Sequence, residues 1–201
     1  MASFYTIKQK GEGLYKEKGS KFLAFAIPVE SIEQIEEALT DIRKRYHDAR
    51  HHCYAYILGL EEQYFRANDD GEPNHSAGDP ILGQIRSFQL TNCLVVVVRY
   101  FGGTKLGVGG LITAYKTAAA SALEKLQRTE IFETETLRLS FGYDQLGFVE
   151  KALNDWDAKV LQRDFTNTCV MTVEITKEKY GALDHTALEL RNIEVFLRDR
   201  V

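Results

Sequence analysis

Leu94-Val-Val-Val-Val-Arg-Tyr-Phe-Gly-Gly-Thr-Lys-Leu-Gly-Val-Gly-Gly110, followed by Leu111-Ile-Thr-Ala-Tyr-Lys-Thr-Ala-Ala-Ala-Ser-Ala-Leu123, decides how the first two thirds of the chain fold. Four valines in a row behind Leu94 lack the polar alternation of a half-exposed strand, so this strand must be covered on both faces. The alanine-rich stretch, about residues 109–126, reads as a helix. The glycines between them mark a loop that needs unusual backbone angles or close approach. A buried strand leading through such a loop into a helix predicts layered α/β packing.

Working outward, residues 4–9 and 20–29 read as strands. A helix follows Ser31, where Gln34 completes a capping box and Ile32, Ile35, Leu39, Ile42 and Tyr46 repeat at helical spacing. Residues 53–58 and 63–67 predict a hairpin closed around 59–62. A polar loop carrying Pro73 and Pro80 leads to the valine strand. Near residues 127–134 the helical pattern stops and a second unit begins. There, residues 135–143 alternate, with Leu137, Leu139, Phe141 and Tyr143 on one face. Asp144 is placed to cap a helix bearing Phe148, Val149, Ala152, Leu153 and Trp156. Strands at 159–164 and 170–175, a helix at 177–191 and a strand at 193–198 complete a βαββαβ order, the split pattern of ferredoxin-like domains. The expected fold class is α+β in two domains, 1–130 and 131–201.

The 201 residues include eleven Phe and ten Tyr, and 44% are hydrophobic. That content offsets chain entropy and argues against disorder. An apolar run such as 93–98 is far too short for a membrane span, and residues 1–10 carry no signal-peptide core. Three cysteines without CxxC spacing predict reduced thiols in a cytoplasmic protein. The formal charge of −4 conceals an asymmetry. Residues 61–80 hold Arg66 against six acids, whereas 86–128 hold six cations against Glu124 alone. The two segments either neutralise each other in the fold or present opposite local fields.

Two segments combine such charge with special backbone. Residues 99–110, between strand and helix, put free N–H groups, the positive end of a helix dipole, Arg99 and Lys105 together, which suits an anion. There is no GK[ST] of a phosphate loop, and GxGxxG fails at Ile112. A sharp turn with tight helix–sheet packing accounts for the same glycines. In residues 66–80, Asp69, Asp70 and Glu72 offer carboxylates for Mg²⁺ or Ca²⁺ without EF-hand spacing. The favoured reading is that these acids cap turns and pair with Arg66, Arg99 or Lys105. Residues 74–78 resemble a nucleophile elbow, but Asn74 replaces its first glycine and no helix is evident after it. On a strand, His51 and Cys53 share one face, too few ligands for zinc; a hydrogen-bonded His51 and a packed Cys53 are expected.

Asp48-Ala-x-His51-x-Cys53-Tyr-Ala55, Asp69-Asp-Gly-Glu-Pro73 with Ala77-Gly78 and Pro80-Ile-Leu82, and Val98-Arg-Tyr-Phe-Gly-Gly-Thr-Lys-Leu-Gly-x-Gly-Gly-Leu111 resemble the Impact family in its bacterial, YigZ-type form. The match covers about residues 1–130. It implies an N-terminal α/β sandwich similar to domain IV of elongation factor G. The C-terminal unit is similar to a ferredoxin-like domain of the same factor. Eukaryotic members regulate translation through an additional N-terminal domain that these motifs do not include, so that role is not carried over. For bacterial members, nucleic-acid or ribosome binding is the usual inference. Here Asn74-His75-Ser76 replaces the usual Ser-Gly-Thr, and Thr113 stands where an arginine is typical. Lys116, three residues on, is placed to restore that charge.

These readings lead to an RNA- or ribosome-associated regulator of translation. Arg99, Lys105 and Lys116 are expected on phosphates, with the backbone of Gly102, Gly103, Gly109 and Gly110 allowing close approach. Asp69, Asp70 and Glu72 are expected to order the facing loop by ion pairing, supported by His51 and Arg66. No cofactor is called for and no nucleophile or base is identifiable. One alternative is an enzyme acting on a phosphorylated small molecule with Mg²⁺ on the acidic loop. Another is a protein-interaction module using the exposed face of the C-terminal sheet. No membrane contact is expected, and the oligomeric state is not legible.

Overall fold

A computed structural model describes residues 4–197. They group into two compact units that divide between Ile131 and Phe132. The fold is mixed α/β, and the named strands pair antiparallel.

The first unit opens with β1 (Phe4–Ile7), β2 (Gly11–Glu17), β3 (Ser20–Pro28) and helix α1 (Ile32–Arg45). It continues with β4 (His51–Leu58), β5 (Tyr64–Asn68), α2 (Gly78–Ser87), β6 (Cys93–Tyr100), α3 (Gly107–Leu123) and β7 (Arg128–Ile131). Strands β2-β3-β6-β4-β5 form one sheet, and β1 pairs with β7 in a separate ribbon. Central β6 is covered on both sides, as its valine run predicts. Val95 and Val97 pack with α2 and α3, while Leu94, Val96 and Val98 pack with Ile35, Leu39 and Ile42 of α1. Burying such side chains contributes about 1.5–3 kcal/mol each.

Ser31 caps α1, accepting from Gln34 N–H at 3.4 Å. The Gln34 side chain reaches back to the N–H of Glu30 at 2.8 Å, one residue before the usual capping-box target.

Strand β2 and helix α2 depart from the sequence reading. Strand β2 falls between the segments 4–9 and 20–29 read as strands, where Gly11 and Gly13 oppose strand propensity. Those glycines are what allow α3 to lie on the strand: a Cβ at Gly13 would stand 2.6 Å from the Ala122 nitrogen, and one at Gly11 2.3 Å from the Ala122 oxygen. Helix α2 lies inside the expected polar loop. Pro80 is tolerated because it occupies the first helical turn, where no intrahelical N–H donor is needed. Ile81, Leu82 and Ile85 then anchor the helix in the core.

The second unit runs β8 (Thr134–Phe141), α4 (Leu146–Asp155), β9 (Lys159–Phe165), β10 (Cys169–Thr176), α5 (Lys177–Gly181), α6 (His185–Glu189) and β11 (Glu194–Leu197). Its sheet order is β11-β8-β10-β9. Leu137, Leu139 and Phe141 are buried with Val149, Leu153, Met171 and Val173. Tyr143, expected on that face, is 53% exposed. Asp144 does not cap α4, which begins without a side-chain cap after a 3-10 turn. The single helix expected over 177–191 is broken in two, because Thr176 caps α5 and Asp184 caps α6, the latter accepting from Ala187 N–H at 3.0 Å. The expected strand end at residue 198 lies outside the described residues.

Candidate functional site

Pairing fixes which loops meet. Lys21 of β3 and His51 of β4 sit opposite Tyr100 and Arg99 of β6, and Tyr54 of β4 sits opposite Asn68 of β5. The starts of β3 and β4 and the ends of β5 and β6 therefore share one edge of the sheet. The acidic loop leaves β5 there and the glycine loop leaves β6 there, so α2 and α3 both begin at that edge.

Asp70 and Gly71 form the tip of a turn closed by Glu72 N–H donating to Asp69 carbonyl at 2.9 Å. Both have positive φ, +42° and +85°, the conformation an Asp-Gly pair tolerates best. Asp69 plugs the start of α2: its carboxylate accepts from the N–H groups of His75 at 2.8 Å, Ala77 at 2.9 Å and Gly78 at 2.8 Å. Burial opposes its ionisation, but these backbone donors outweigh it and hold its pKa below the usual carboxylate value. Asp70 accepts from His52 N–H at 2.6 Å, and its carbonyl lies 2.8 Å from His51 Nδ1. A carbonyl only accepts, so His51 Nδ1 carries the proton.

Glu72 turns inward. Its Oε1 lies 2.5 Å from Arg99 Nη1 and 2.8 Å from the Tyr115 hydroxyl of α3, which donates to it. The Glu72 and Arg99 side chains are only 4% and 8% exposed. Beneath them the Cys53 thiol lies 3.0 Å from the Asp69 carbonyl and 3.3 Å from the Tyr115 oxygen, and has one proton to give. Burial above all, with the nearby acids, pushes the Cys53 thiol far above its ordinary pKa. The Tyr115 hydroxyl is pushed up in the same way, by burial first and then by Cys53 and Glu72.

The glycine loop divides into two parts. Gly102 serves packing: a Cβ there would stand 1.9 Å from the carbonyl carbon of Gly19, and its N–H donates to Ser20 Oγ at 3.1 Å. Gly103 (φ +88°), Gly107 and Gly109 face open space, while a Cβ at Gly110 would stand 3.0 Å from Leu106 Cβ. Helix α3 starts with no side-chain cap and no acid in its first turn. Its leading N–H groups thus lack the internal carboxylate that α2 has. Lys105 is exposed beside this start, and Lys116 is exposed two turns along the same helix face as Gly109. Among the described residues neither lysine forms an ion pair.

Several expectations change accordingly. Arg99, expected on phosphate, is buried and its charge is matched by Glu72. Of Arg66, Arg99 and Lys105, the partners expected for the acids, Arg99 is the one that pairs, with Glu72; Arg66 is exposed on β5 and makes no ion pair among the described residues. Among the described residues, Glu72 is the one of the three acids that pairs with an arginine or lysine; Asp69 and Asp70 bind mainly backbone N–H groups, with His52 Nδ1 3.9 Å from Asp70. The helix judged missing after residues 74–78 is present as α2. Three carboxylates that each serve a different partner form a poor divalent-cation cage. No cluster of three His, Cys, Asp or Glu side chains suited to a metal occurs among the described residues. Tyr115 and the half-exposed Phe101 were not singled out from the sequence; an aromatic among alanines and one before Gly-Gly were the available signals.

A family model, the Impact N-terminal domain, matches residues 18–123. The chain is 30% identical over 190 residues to IMPACT family member YvyE of Bacillus subtilis (strain 168), spanning 94% of this chain and 88% of that protein. It is 32% identical over 164 residues to IMPACT family member YigZ of Escherichia coli (strain K12), spanning 81% and 80%. Protein IMPACT of Rattus norvegicus is 31% identical over 94 residues, 45% of this chain and 30% of that protein. A crystal structure of a hypothetical protein, 26% identical, matches with a TM-score of 0.73 and covers both chains in full.

Proposed function

The chain belongs to the Impact family, and from that membership and the loop geometry of its first unit we propose a non-enzymatic, cytoplasmic regulator of translation that binds RNA or the ribosome. The observation that carries this reading is the contrast between two helix starts on one sheet edge. Asp69 occupies the start of α2, whereas the start of α3 is uncapped and lined by glycines, with exposed Lys105 beside it and exposed Lys116 two turns along the helix. Phosphate suits such a place, because it accepts from backbone N–H groups and is drawn by the helix dipole and the lysines. Lys116 supplies the charge that Thr113 does not. Arg99 has a positioning role: paired with Glu72, it ties the acidic turn to the base of the glycine loop.

The second unit's βαββαβ order and β11-β8-β10-β9 sheet suit the ferredoxin-like domain of elongation factor G, and the first unit its domain IV. That pairing supports a ribosomal setting, while function itself is argued from the site. No cofactor enters the proposal.

The test is binding of purified ribosomes and of RNA across a salt series, for wild type and Lys105→Ala. The expected result is affinity that falls steeply with salt, with the variant weaker and its log–log salt slope shallower by about 1. Salt-insensitive binding, or a variant equal to wild type, overturns the phosphate assignment.

A further inference from the structure

Phe101 is 54% exposed at the end of β6 and belongs to none of the packed hydrophobic clusters. An exposed phenyl ring on a long, wandering loop would need no explanation, but this one is held. Gly102, the next residue, is locked against Gly19 and Ser20. The Arg99 guanidinium lies 5.8 Å from the Phe101 ring centroid and 5.5 Å from that of buried Phe22. Glu72 fixes that guanidinium in turn, at 2.5 Å. The Arg99 Nε is buried and has no hydrogen-bond partner, so the arginine is positioned by its pair and by the two rings rather than by a full set of donors. A cation held under an aromatic face is an attractive contact. It orients the ring while its own charge is matched from below. Beyond the ring come Gly103, which faces open space, and exposed Lys105, Val108 and Ile112.

A held, solvent-facing aromatic in the same loop as the exposed Lys105 is what an unpaired nucleobase stacks on; a duplex offers no free base face. We propose that Phe101 is a stacking platform and that the nucleic acid taken by this loop is single-stranded RNA. This rests on the reading of the loop as a phosphate contact and adds the class of strand and the residue that selects it. A protein partner would also cover an exposed phenyl ring. Exposed Lys105 in the same loop and the absence of acid from the first turn of α3 favour RNA.

The experiment uses the full chain and a fluorescein-labelled twelve-residue oligoadenylate, free or annealed to oligouridylate, read by anisotropy. A 2-aminopurine base within the free strand reports stacking. Wild type is expected to prefer the free strand and to quench 2-aminopurine. Phe101→Ala is expected to lose about tenfold in affinity for the free strand and to lose the quenching, with the duplex unaffected. Phe101→Trp is expected to restore both. Lys105→Ala is expected to weaken both strand forms together. Phe101→Ala binding and quenching like wild type, while Lys105→Ala is impaired, overturns the platform and leaves the phosphate reading standing. Wild type binding neither strand form overturns both. Phe101 is outside the core, so the variant's unchanged thermal midpoint checks that it folds.

Discussion

Glu72 Oε1 and Arg99 Nη1 lie 2.5 Å apart with both side chains almost closed off from solvent, which joins the acidic turn after β5 to the central strand β6. The acidic turn after β5 and the base of the glycine loop are thereby one unit. A buried pair of this kind is not a large net source of stability, but removing one partner strands the other. Glu72→Ala is expected to cost about 3–5 kcal/mol in urea unfolding. Glu72→Leu with Arg99→Met should recover much of that loss. A double variant no better than the single one would show that the pair does not act as a unit.

Tyr115→Phe removes the hydroxyl that donates to Glu72 and borders the Cys53 thiol. The expected loss is about 1–3 kcal/mol, because a buried carboxylate oxygen loses one of its two donors. Chemical denaturation of the variant and of Tyr115→Phe/Cys53→Ala measures how far the two side chains are coupled.

All three cysteines are buried and free, and burial raises the Cys93 thiol to about 12 and Cys53 still further. A thiolate is the reactive form. Native protein at pH 8 is therefore expected to react with a colorimetric disulfide reagent very slowly at these two sites. Full reaction should appear on adding guanidinium. Rapid native labelling of Cys53 would contradict the network drawn around it.

Asp69 links stability to pH. Its folded pKa lies below the unfolded value, so its contribution is present above about pH 4 and is lost as pH falls through the folded pKa. Asp69→Asn should be destabilised by about 1 kcal/mol at pH 7, a typical cost for a weakened helix cap. The gap between wild type and variant should narrow as pH drops below about 4. A gap that stays constant down to pH 2 would count against an ionised cap.

Gly109 separates folding from function. A methyl group there meets no neighbour within 4 Å, and its backbone is helical. Gly109→Ala is expected to raise stability by about 0.5 kcal/mol. It should nonetheless weaken RNA binding, because the methyl narrows the approach to the first turn of α3. Gly102→Ala should do the opposite in stability, clashing with Gly19 backbone at 1.9 Å. Thermal melts and anisotropy on the two variants check both statements.

Local chemistry in the sequence determined much of this protein. The valine run required a strand covered twice, Ser31 and Gln34 required a helix start, and alternating Leu137, Leu139 and Phe141 required a strand with one buried face. Periodicity reads such elements because each reports only on its own neighbours. Strand β2 and helix α2 were not legible, since Gly11, Gly13 and Pro80 oppose propensity locally and are justified only by a partner distant in sequence. The break between α5 and α6 was missed because two caps compete inside one amphipathic pattern. At the site, the sequence determined which residues carry charge and which backbone is free to bend. Only tertiary structure decided that Arg99 spends its charge on Glu72, that Asp69 closes one helix start while the other stays open, and that Phe101 faces solvent. Pairing across 27 residues between Glu72 and Arg99 depends on strand register, which the whole sheet sets and no single segment contains.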